Sequence, residues 1–168
     1  MSRDIHNLIV HHSDSKWGDG KVIEQWHMAP KPKGNGWDRP GYCVVIQNGF
    51  PTYNSLSENE SVEGSDGLVE RIYTEDKKTY GCKYANEDSL HVCLIGNFDV
   101  QEPTQLQIDA LIRLLVFWCK KYKLKSSDVY GHGEMQRKIG KEGYSKTCPG
   151  KNVDMDQVRE AVKAQVGE

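Results

Sequence analysis

The sequence lacks the features of an exported or membrane-inserted chain. Residues 1–6 contain no basic start, apolar run or small-residue cleavage site, so they do not resemble a secretory signal. The longest run of large apolar side chains, residues 114–118, is far too short to span a bilayer. We therefore expect a chain that is synthesised in the cytoplasm without a signal peptide and that has no membrane partner.

An excess of charge of one sign is also absent. The chain has 22 lysines and arginines against 24 aspartates and glutamates, a formal net charge of -2, so a nucleic acid partner is not expected. Its five cysteines are an odd number in a chain with no export signal, which favours free thiols over a disulfide framework. A length of 168 residues suits one domain, residues 1–168, that buries about two-thirds of its unfolded surface and folds without a disulfide or a metal.

Local sequence patterns predict a mixture of strands and helices. Short apolar runs indicate strands at residues 5–10, 42–47 and 90–96, and a further short strand is predicted at residues 68–73. Apolar residues at helical spacing indicate helices at residues 21–28, 103–124 and 154–166. The order of these elements predicts an α/β fold, a single domain with a central mixed β-sheet flanked by α-helices.

Two segments are predicted to be irregular. Residues 52–67, rich in Ser, Asn, Glu and Gly, indicate an acidic surface loop with Leu56 and Val62 as its few anchors. A basic loop punctuated by glycines is expected after His132.

Candidate chemistry is concentrated in residues 129–150, which contain His132, Lys146 and Cys148. Imidazole and thiolate are the donors that zinc prefers, but the spacing of this histidine and cysteine is too wide to identify a metal site alone. A third ligand must therefore come from elsewhere. His11 and His12 end the first predicted strand, where adjacent side chains point to opposite faces, and the pattern does not rank them.

Other residues have ordinary interpretations that compete with functional ones. His6 is expected to face solvent, His27 to be a hydrogen-bonded helix residue, and His91 to be packed in the core of a strand. Tyr42, which follows a glycine loop, is either a packing aromatic at a strand start or a functional residue. Lys146 alone would be an ordinary solvated loop lysine, and only the neighbouring thiol suggests more.

Taken in order, six motifs resemble those of the zinc-dependent N-acetylmuramoyl-L-alanine amidases, a family that includes phage amidase-type lysozymes and peptidoglycan recognition proteins. The resemblance extends from about residue 5 to residue 160, and its specificity comes from the ordered set rather than from any one motif. The motifs are Leu-Ile-Val-His11-His-Ser, Pro-Gly-Tyr42, Ser89-Leu-His-Val-Cys-Leu-Ile-Gly96, Pro103-Thr-Gln-Leu-Gln, Gly131-His132 and Lys146-Thr-Cys148-Pro-Gly150.

The resemblance implies a central mixed sheet flanked by helices and one catalytic Zn2+ per chain. It implies that His11, His132 and Cys148 hold the zinc, which selects the first of the two adjacent histidines. It also implies that Tyr42 and Lys146 are the catalytic tyrosine and lysine. The fourth zinc position would hold water, as an open catalytic site requires.

The implied function is hydrolysis of the amide bond between N-acetylmuramic acid and L-alanine of peptidoglycan. Such an enzyme binds the glycan strand and the stem peptide, and we expect a monomeric phage or prophage endolysin that acts on the bacterial cell wall after release. Two alternatives stay open: a cysteine hydrolase with Cys148 as nucleophile and His132 as base, and a peptidoglycan-binding module without catalysis. The sequence departs from many relatives at His91, where they have glycine.

Overall fold

The structure, a computed structural model, describes residues 3–141 and 147–168. Within these residues the five β-strands are β1 (Asn7–His12), β2 (Val44–Asn48), β3 (Asp66–Arg71), β4 (Ser89–Leu94) and β5 (Val129–Gly131). The five α-helices in the same residues are α1 (Gly20–Met28), α2 (Tyr53–Ser57), α3 (Gln105–Tyr122), α4 (His132–Lys138) and α5 (Met155–Val166). None of these described helices is long and apolar enough to cross a lipid bilayer.

The strands form one mixed sheet with the order β3-β2-β4-β1-β5. Strands β2, β4, β1 and β5 run parallel to one another, whereas β3, at one edge, runs antiparallel to β2. The predicted α/β fold with a central mixed sheet is therefore confirmed, and the four predicted strands are present with their ends shifted by one or two residues. Strand β1 lies in the interior of the sheet, so its two histidines emerge at the carboxyl end, where open α/β sheets bind ligands.

The two faces of the sheet have different surroundings. On one face, Leu8 and Val10 of β1 belong to the main apolar core, which also includes residues of α3 and α5. On the other face, Ile9 packs with Met135 of α4, and residues of α1 cover the neighbouring strands. Because side chains alternate along a strand, His11 lies on the same face as Ile9.

The predicted helix starts are confirmed. At the start of α1, Asp19 Oδ1 accepts a hydrogen bond of 2.9 Å from the backbone N of Val22. Thr104 and Gln107 form a reciprocal capping box at the start of α3, and Asp154 caps α5. Each cap satisfies backbone N–H groups of the first helical turn and contributes about 1 kcal/mol.

The two segments predicted to be irregular contain short helices. Thr52 caps α2 within residues 52–67, and the buried side chains of this segment are Ser55 and Ser65, whereas the predicted anchor Val62 is 48% exposed. Helix α4 begins directly at His132, where a loop was expected, because the carboxylate of Glu134 accepts a hydrogen bond from the backbone N of Gly131. These helices are too short to show a periodic apolar pattern in the sequence.

Glu75, which follows β3, fixes the adjacent loop to α3. Its carboxylate accepts hydrogen bonds from Trp118 Nε1 at 2.9 Å, Lys121 Nζ at 2.7 Å and the Tyr122 hydroxyl at 2.6 Å. The side chain is only 12% exposed. Burial raises the pKa of Glu75, but these hydrogen bonds outweigh burial and lower the pKa to about 2.

Replacing Glu75 with glutamine is expected to lower the free energy of unfolding at pH 7 by about 2 kcal/mol, because hydrogen bonds to a charged group are stronger than those to an amide. The carboxylate stabilises the fold fully above the pKa of the unfolded chain, about 4.3, and this contribution is lost as the pH falls towards 2. Urea unfolding at neutral and acidic pH measures both effects, with Glu60→Gln on the exposed surface as the control. A difference between Glu75→Gln and the parent that stays constant with pH would contradict this account.

Candidate metal centre

Three side chains with metal-binding atoms converge at the carboxyl end of β1. They are His11 at the end of β1, His132 at the first position of α4, and Cys148 in the turn before α5. Their ligand atoms all lie within 4.8 Å of one another, and Cys148 Sγ is 3.9 Å from His11 Nδ1. Bonds of about 2.0–2.3 Å to one tetrahedral zinc ion place two donors roughly 3.3–3.8 Å apart. The donor types therefore fit zinc, and the 3.9 Å between Cys148 Sγ and His11 Nδ1 is close to this spacing.

The two adjacent histidines of β1 have different surroundings. His11 is buried beside His132, with their ring centroids 4.6 Å apart. His12 Nδ1 instead accepts a hydrogen bond of 3.1 Å from the backbone N of Phe98. The structure therefore brings His11, and not His12, to the other two donors, a choice that the alternation of side chains left open.

The segments that carry His132 and Cys148 are joined through their backbones. The N–H of Gly133, next to His132, donates to the carbonyl oxygen of Cys148 over 2.9 Å. On the other side, Asp99 in the loop after β4 accepts a hydrogen bond of 2.8 Å from the Thr147 hydroxyl. The segments of His132 and Cys148 are thus held together, and the hydrogen bond between Thr147 and Asp99 fixes them to the loop that follows β4.

The turn after Cys148 requires glycine. Gly150 has a φ of +104°, a conformation that other residues rarely adopt, and a Cβ there would lie 2.6 Å from the backbone of Phe98. The glycine of the Cys-Pro-Gly motif is therefore explained by the close approach of this turn to the loop after β4.

A partly buried ion pair fixes the start of α4. Arg159 of α5 donates two hydrogen bonds, of 2.8 and 3.0 Å, to the carboxylate of Glu134. The same carboxylate accepts a hydrogen bond of 2.8 Å from the backbone N of Gly131. Glu134 is therefore bound to Arg159 on one side and to Gly131 on the other. Because Gly131 immediately precedes His132, these contacts fix the backbone that carries the His132 ring.

The electrostatic surroundings keep all three donors neutral at physiological pH. Burial, followed by the neighbouring His132 and His91, lowers the pKa of His11 well below its usual value. Burial also lowers the pKa of His132 to about 4 and raises the pKa of Cys148 to about 12. Both imidazoles therefore present lone pairs without first losing a proton, as metal ligands must.

His132 and Cys148 line a cleft of about 430 Å3, and Tyr42 contributes to its wall. The ring centroid of Tyr42 is 4.8 Å from that of His11 and 5.2 Å from that of His27. Tyr42 lies two positions before β2, close to the strand start at which it was predicted.

The Tyr42 hydroxyl is a neutral hydrogen-bond donor. Burial, followed by the sulfur atoms of Cys93 and Cys148, raises the pKa of Tyr42 well above its usual value. The second predicted catalytic residue, Lys146, lies outside the described residues.

The remaining histidines follow the ordinary interpretations in part. His6 is exposed, and His27 Nδ1 accepts a hydrogen bond of 3.0 Å from the backbone N of Gly41, as predicted. His91 is buried in β4 as predicted, but its Nδ1 also lies 3.0 Å from Nε2 of His11. Sequence reasoning missed this contact, because the sequence places the two histidines on separate predicted strands and does not show that these strands are neighbours.

One family model matches most of the chain. A model of the family described as N-acetylmuramoyl-L-alanine amidase matches residues 1–151. No curated protein matches the chain significantly in sequence.

Solved structures with a similar fold include bacterial, phage and insect proteins. The chain is 18% identical to N-acetylmuramoyl-L-alanine amidase LysC from Clostridium intestinale, with a TM-score of 0.71 and coverage of 94% of this chain and 85% of that chain. For the Ph2119 endolysin of a Thermus scotoductus bacteriophage the identity is 20%, the TM-score 0.69 and the coverage 96% and 87%. A Drosophila PGRP-LB variant in complex with tracheal cytotoxin is 18% identical, with a TM-score of 0.65 and coverage of 91% and 79%.

Proposed function

The chain belongs to the N-acetylmuramoyl-L-alanine amidase family, and on that premise we propose that it hydrolyses the amide bond between N-acetylmuramic acid and L-alanine of peptidoglycan. We propose that one zinc ion per chain is held by His11, His132 and Cys148. The observation that carries this proposal is the convergence of the three ligand atoms, within 4.8 Å of one another, beside a cleft. The cleft is proposed to take the lactyl amide with parts of the glycan strand and the stem peptide.

The chemistry is divided between the metal and the side chains around it. Zinc, when bound, supplies a Lewis acid that polarises a carbonyl group and activates water. The neutral Tyr42 hydroxyl donates a hydrogen bond to the carbonyl oxygen as negative charge develops there. Lys146, two positions before Cys148, is proposed as a second donor from its place in the sequence. One of these two groups also supplies the proton that the departing amino group of L-alanine needs.

The cysteine hydrolase alternative is disfavoured by the surroundings of the same residues. A nucleophilic cysteine needs a thiolate near neutral pH and a base that accepts its proton. Burial has the opposite effect on both groups, since it raises the pKa of Cys148 to about 12 and lowers that of His132 to about 4. Coordination to zinc, in contrast, deprotonates a thiol directly, so the same surroundings are compatible with a ligand role.

Product analysis tests the proposed reaction. We expect zinc-loaded protein to release free L-alanine amino termini from intact sacculi while the glycan strands remain uncut, as measured by mass spectrometry. Zinc-loaded protein that binds sacculi without releasing these termini would contradict the proposal and indicate a peptidoglycan-binding module.

A comparison of substrates tests the biological setting. We propose a phage or prophage endolysin that acts on the cell wall after release, a setting supported by the likeness in fold to the Ph2119 endolysin. Such an enzyme should cleave intact sacculi faster than soluble anhydro-muropeptides. The reverse preference would indicate recycling of wall fragments.

A further inference from the structure

His91 occupies the buried layer directly beneath the proposed metal site. In the register of β1 and β4, His91 pairs with Ile9, and Cys93 pairs with His11. His91 therefore lies on the same sheet face as His11, one step further from the carboxyl end. Its side chain is fully buried, with Nδ1 at 3.0 Å from Nε2 of His11.

The His91 ring has space because residue 81 is a glycine. A Cβ on Gly81 would lie 2.5 Å from Nδ1 and 2.7 Å from Cγ of His91. Real side chains do not approach that closely, so the position of the His91 ring depends on glycine at residue 81. The contact between His91 and His11 therefore depends on the close packing of Gly81 against the His91 ring.

The two nitrogens of His11 face different partners. Nδ1 lies 3.9 Å from Cys148 Sγ, on the side of the proposed metal, and Nε2 faces His91. A nitrogen that binds a metal carries no proton, so the single proton of the neutral ring must be on Nε2. Donation of that proton to His91 Nδ1 then requires that His91 carry its own proton on Nε2. The opposite arrangement would place a proton on His11 Nδ1 and block the metal.

This arrangement disfavours a purely structural role for His91. Its Nε2 is buried and has no hydrogen-bond partner among the described residues. A buried polar atom without a partner lowers folding stability, so an apolar residue at position 91 would avoid this loss of stability. The hydrogen bond to His11 is the compensating interaction that the structure shows.

We propose that His91 is a positioning residue for the metal, which holds the ring of His11 in the tautomer and orientation that present Nδ1. The proposal rests on the proposed zinc function and assigns His91 no contact with substrate. Hydrogen-bond partners of metal-bound histidines have this effect in general, and their removal costs about 10–100-fold in metal affinity.

Zinc affinity in two variants tests the proposal. His91→Leu removes the acceptor at similar size and is expected to weaken zinc binding about 10–100-fold in competition with a chelator. His91→Asn, whose Oδ1 takes the place of Nδ1, should retain affinity closer to that of the parent. His6→Leu, on the exposed surface just before β1, is the matched control and should bind zinc as the parent does. Equal zinc affinity in His91→Leu and the parent, or equal losses in the leucine and asparagine variants, would overturn the proposal.

Thermal unfolding of the metal-free proteins separates positioning from a general loss of structure. His91→Leu without metal should unfold close to the temperature of the parent, because loss of the unpaired Nε2 of His91 offsets loss of the acceptor for His11 Nε2. A lower unfolding temperature that accounts for the whole loss of zinc affinity would mean that His91 only stabilises the core, and would overturn the proposal.

A measurement on the unchanged sequence completes the test. In the zinc-loaded parent, long-range 1H–15N NMR correlations should show the proton of His11 on Nε2, whereas a proton on Nδ1 would overturn the proposal. These readouts do not depend on amidase activity. If the parent binds one zinc and shows the expected tautomer but cleaves no peptidoglycan, the proposed reaction fails while the role of His91 stands. If the parent binds no zinc, both fail.

Discussion

Replacing Cys148 with alanine is expected to abolish stoichiometric zinc binding and to reduce cleavage of peptidoglycan by more than about 100-fold, since loss even of a ligand's hydrogen-bond partner costs about 10–100-fold. The cysteine supplies the only sulfur donor in the described cluster, and its Sγ lies 3.9 Å from His11 Nδ1. Without it, two neutral imidazoles remain, which is one donor fewer than a catalytic zinc site has. Metal analysis of the purified protein and a sacculus digestion assay measure the two losses separately.

The Cys148→Asp variant distinguishes a ligand from a nucleophile. Aspartate binds zinc through oxygen, so this variant should retain zinc and a measurable fraction of the activity. A nucleophilic cysteine has no such substitute, and its loss would remove activity whatever the metal content. Cys119→Ala, a buried thiol on α3 whose Sγ contacts Lys125 O, is the control and should change neither zinc content nor rate. An inert Cys148→Asp protein that holds one zinc per chain would contradict the ligand assignment.

The fold was predictable where a local signal decides the structure. Parallel strands buried on both faces appear in the sequence as continuous apolar runs, as residues 92–95 do, and β4 is found at Ser89–Leu94. Helix α3 has a capping box at Thr104 and an apolar face long enough to be periodic. These signals depend only on neighbouring residues, so a single sequence contains them.

Helix α4 was not predictable because its start is stabilised from a distance. Glu134 holds the first turn through Gly131, but the orientation of its carboxylate is set by Arg159, a residue of α5. Nothing between His132 and residue 138 shows which helix will pack beside it. A short segment whose stability comes from such contacts resembles a loop in sequence.

The candidate site shows the same division between local and distant information. Because side chains alternate along β1, His11 and His12 lie on opposite faces of the sheet. Which of them meets the other donors depends on the helices and loops that cover each face. Residues of α3 and α5 cover Val10, and His12 on the same face is bound to the backbone N of Phe98, whereas His11 lies on the face where His132 and Cys148 arrive. The resemblance to amidases supplied this choice, whereas the pattern of residues did not.

His91 illustrates how an ordinary interpretation can be correct and incomplete. Burial in a strand was predicted from its apolar neighbours and is observed. Its contact with His11 depends on the pairing of β4 with β1, which are separated by most of the N-terminal half of the chain. Strand order is a global property of the fold, and a single sequence does not specify it.

Replacing Tyr42 with phenylalanine is expected to lower kcat by about 100- to 1000-fold, the usual effect of removing one donor to a developing oxyanion. Zinc content and KM should change little, because the hydroxyl is not a proposed ligand and acts mainly as charge develops. Burial raises the pKa of Tyr42, so the parent enzyme should keep this donor across neutral and mildly alkaline pH. Steady-state kinetics on soluble muropeptides measure kcat and KM, with Tyr53→Phe, whose residue is 62% exposed, as the control. A zinc-loaded Tyr42→Phe enzyme with unchanged kcat would assign stabilisation of the oxyanion to other groups, among which Lys146 is the next to be replaced.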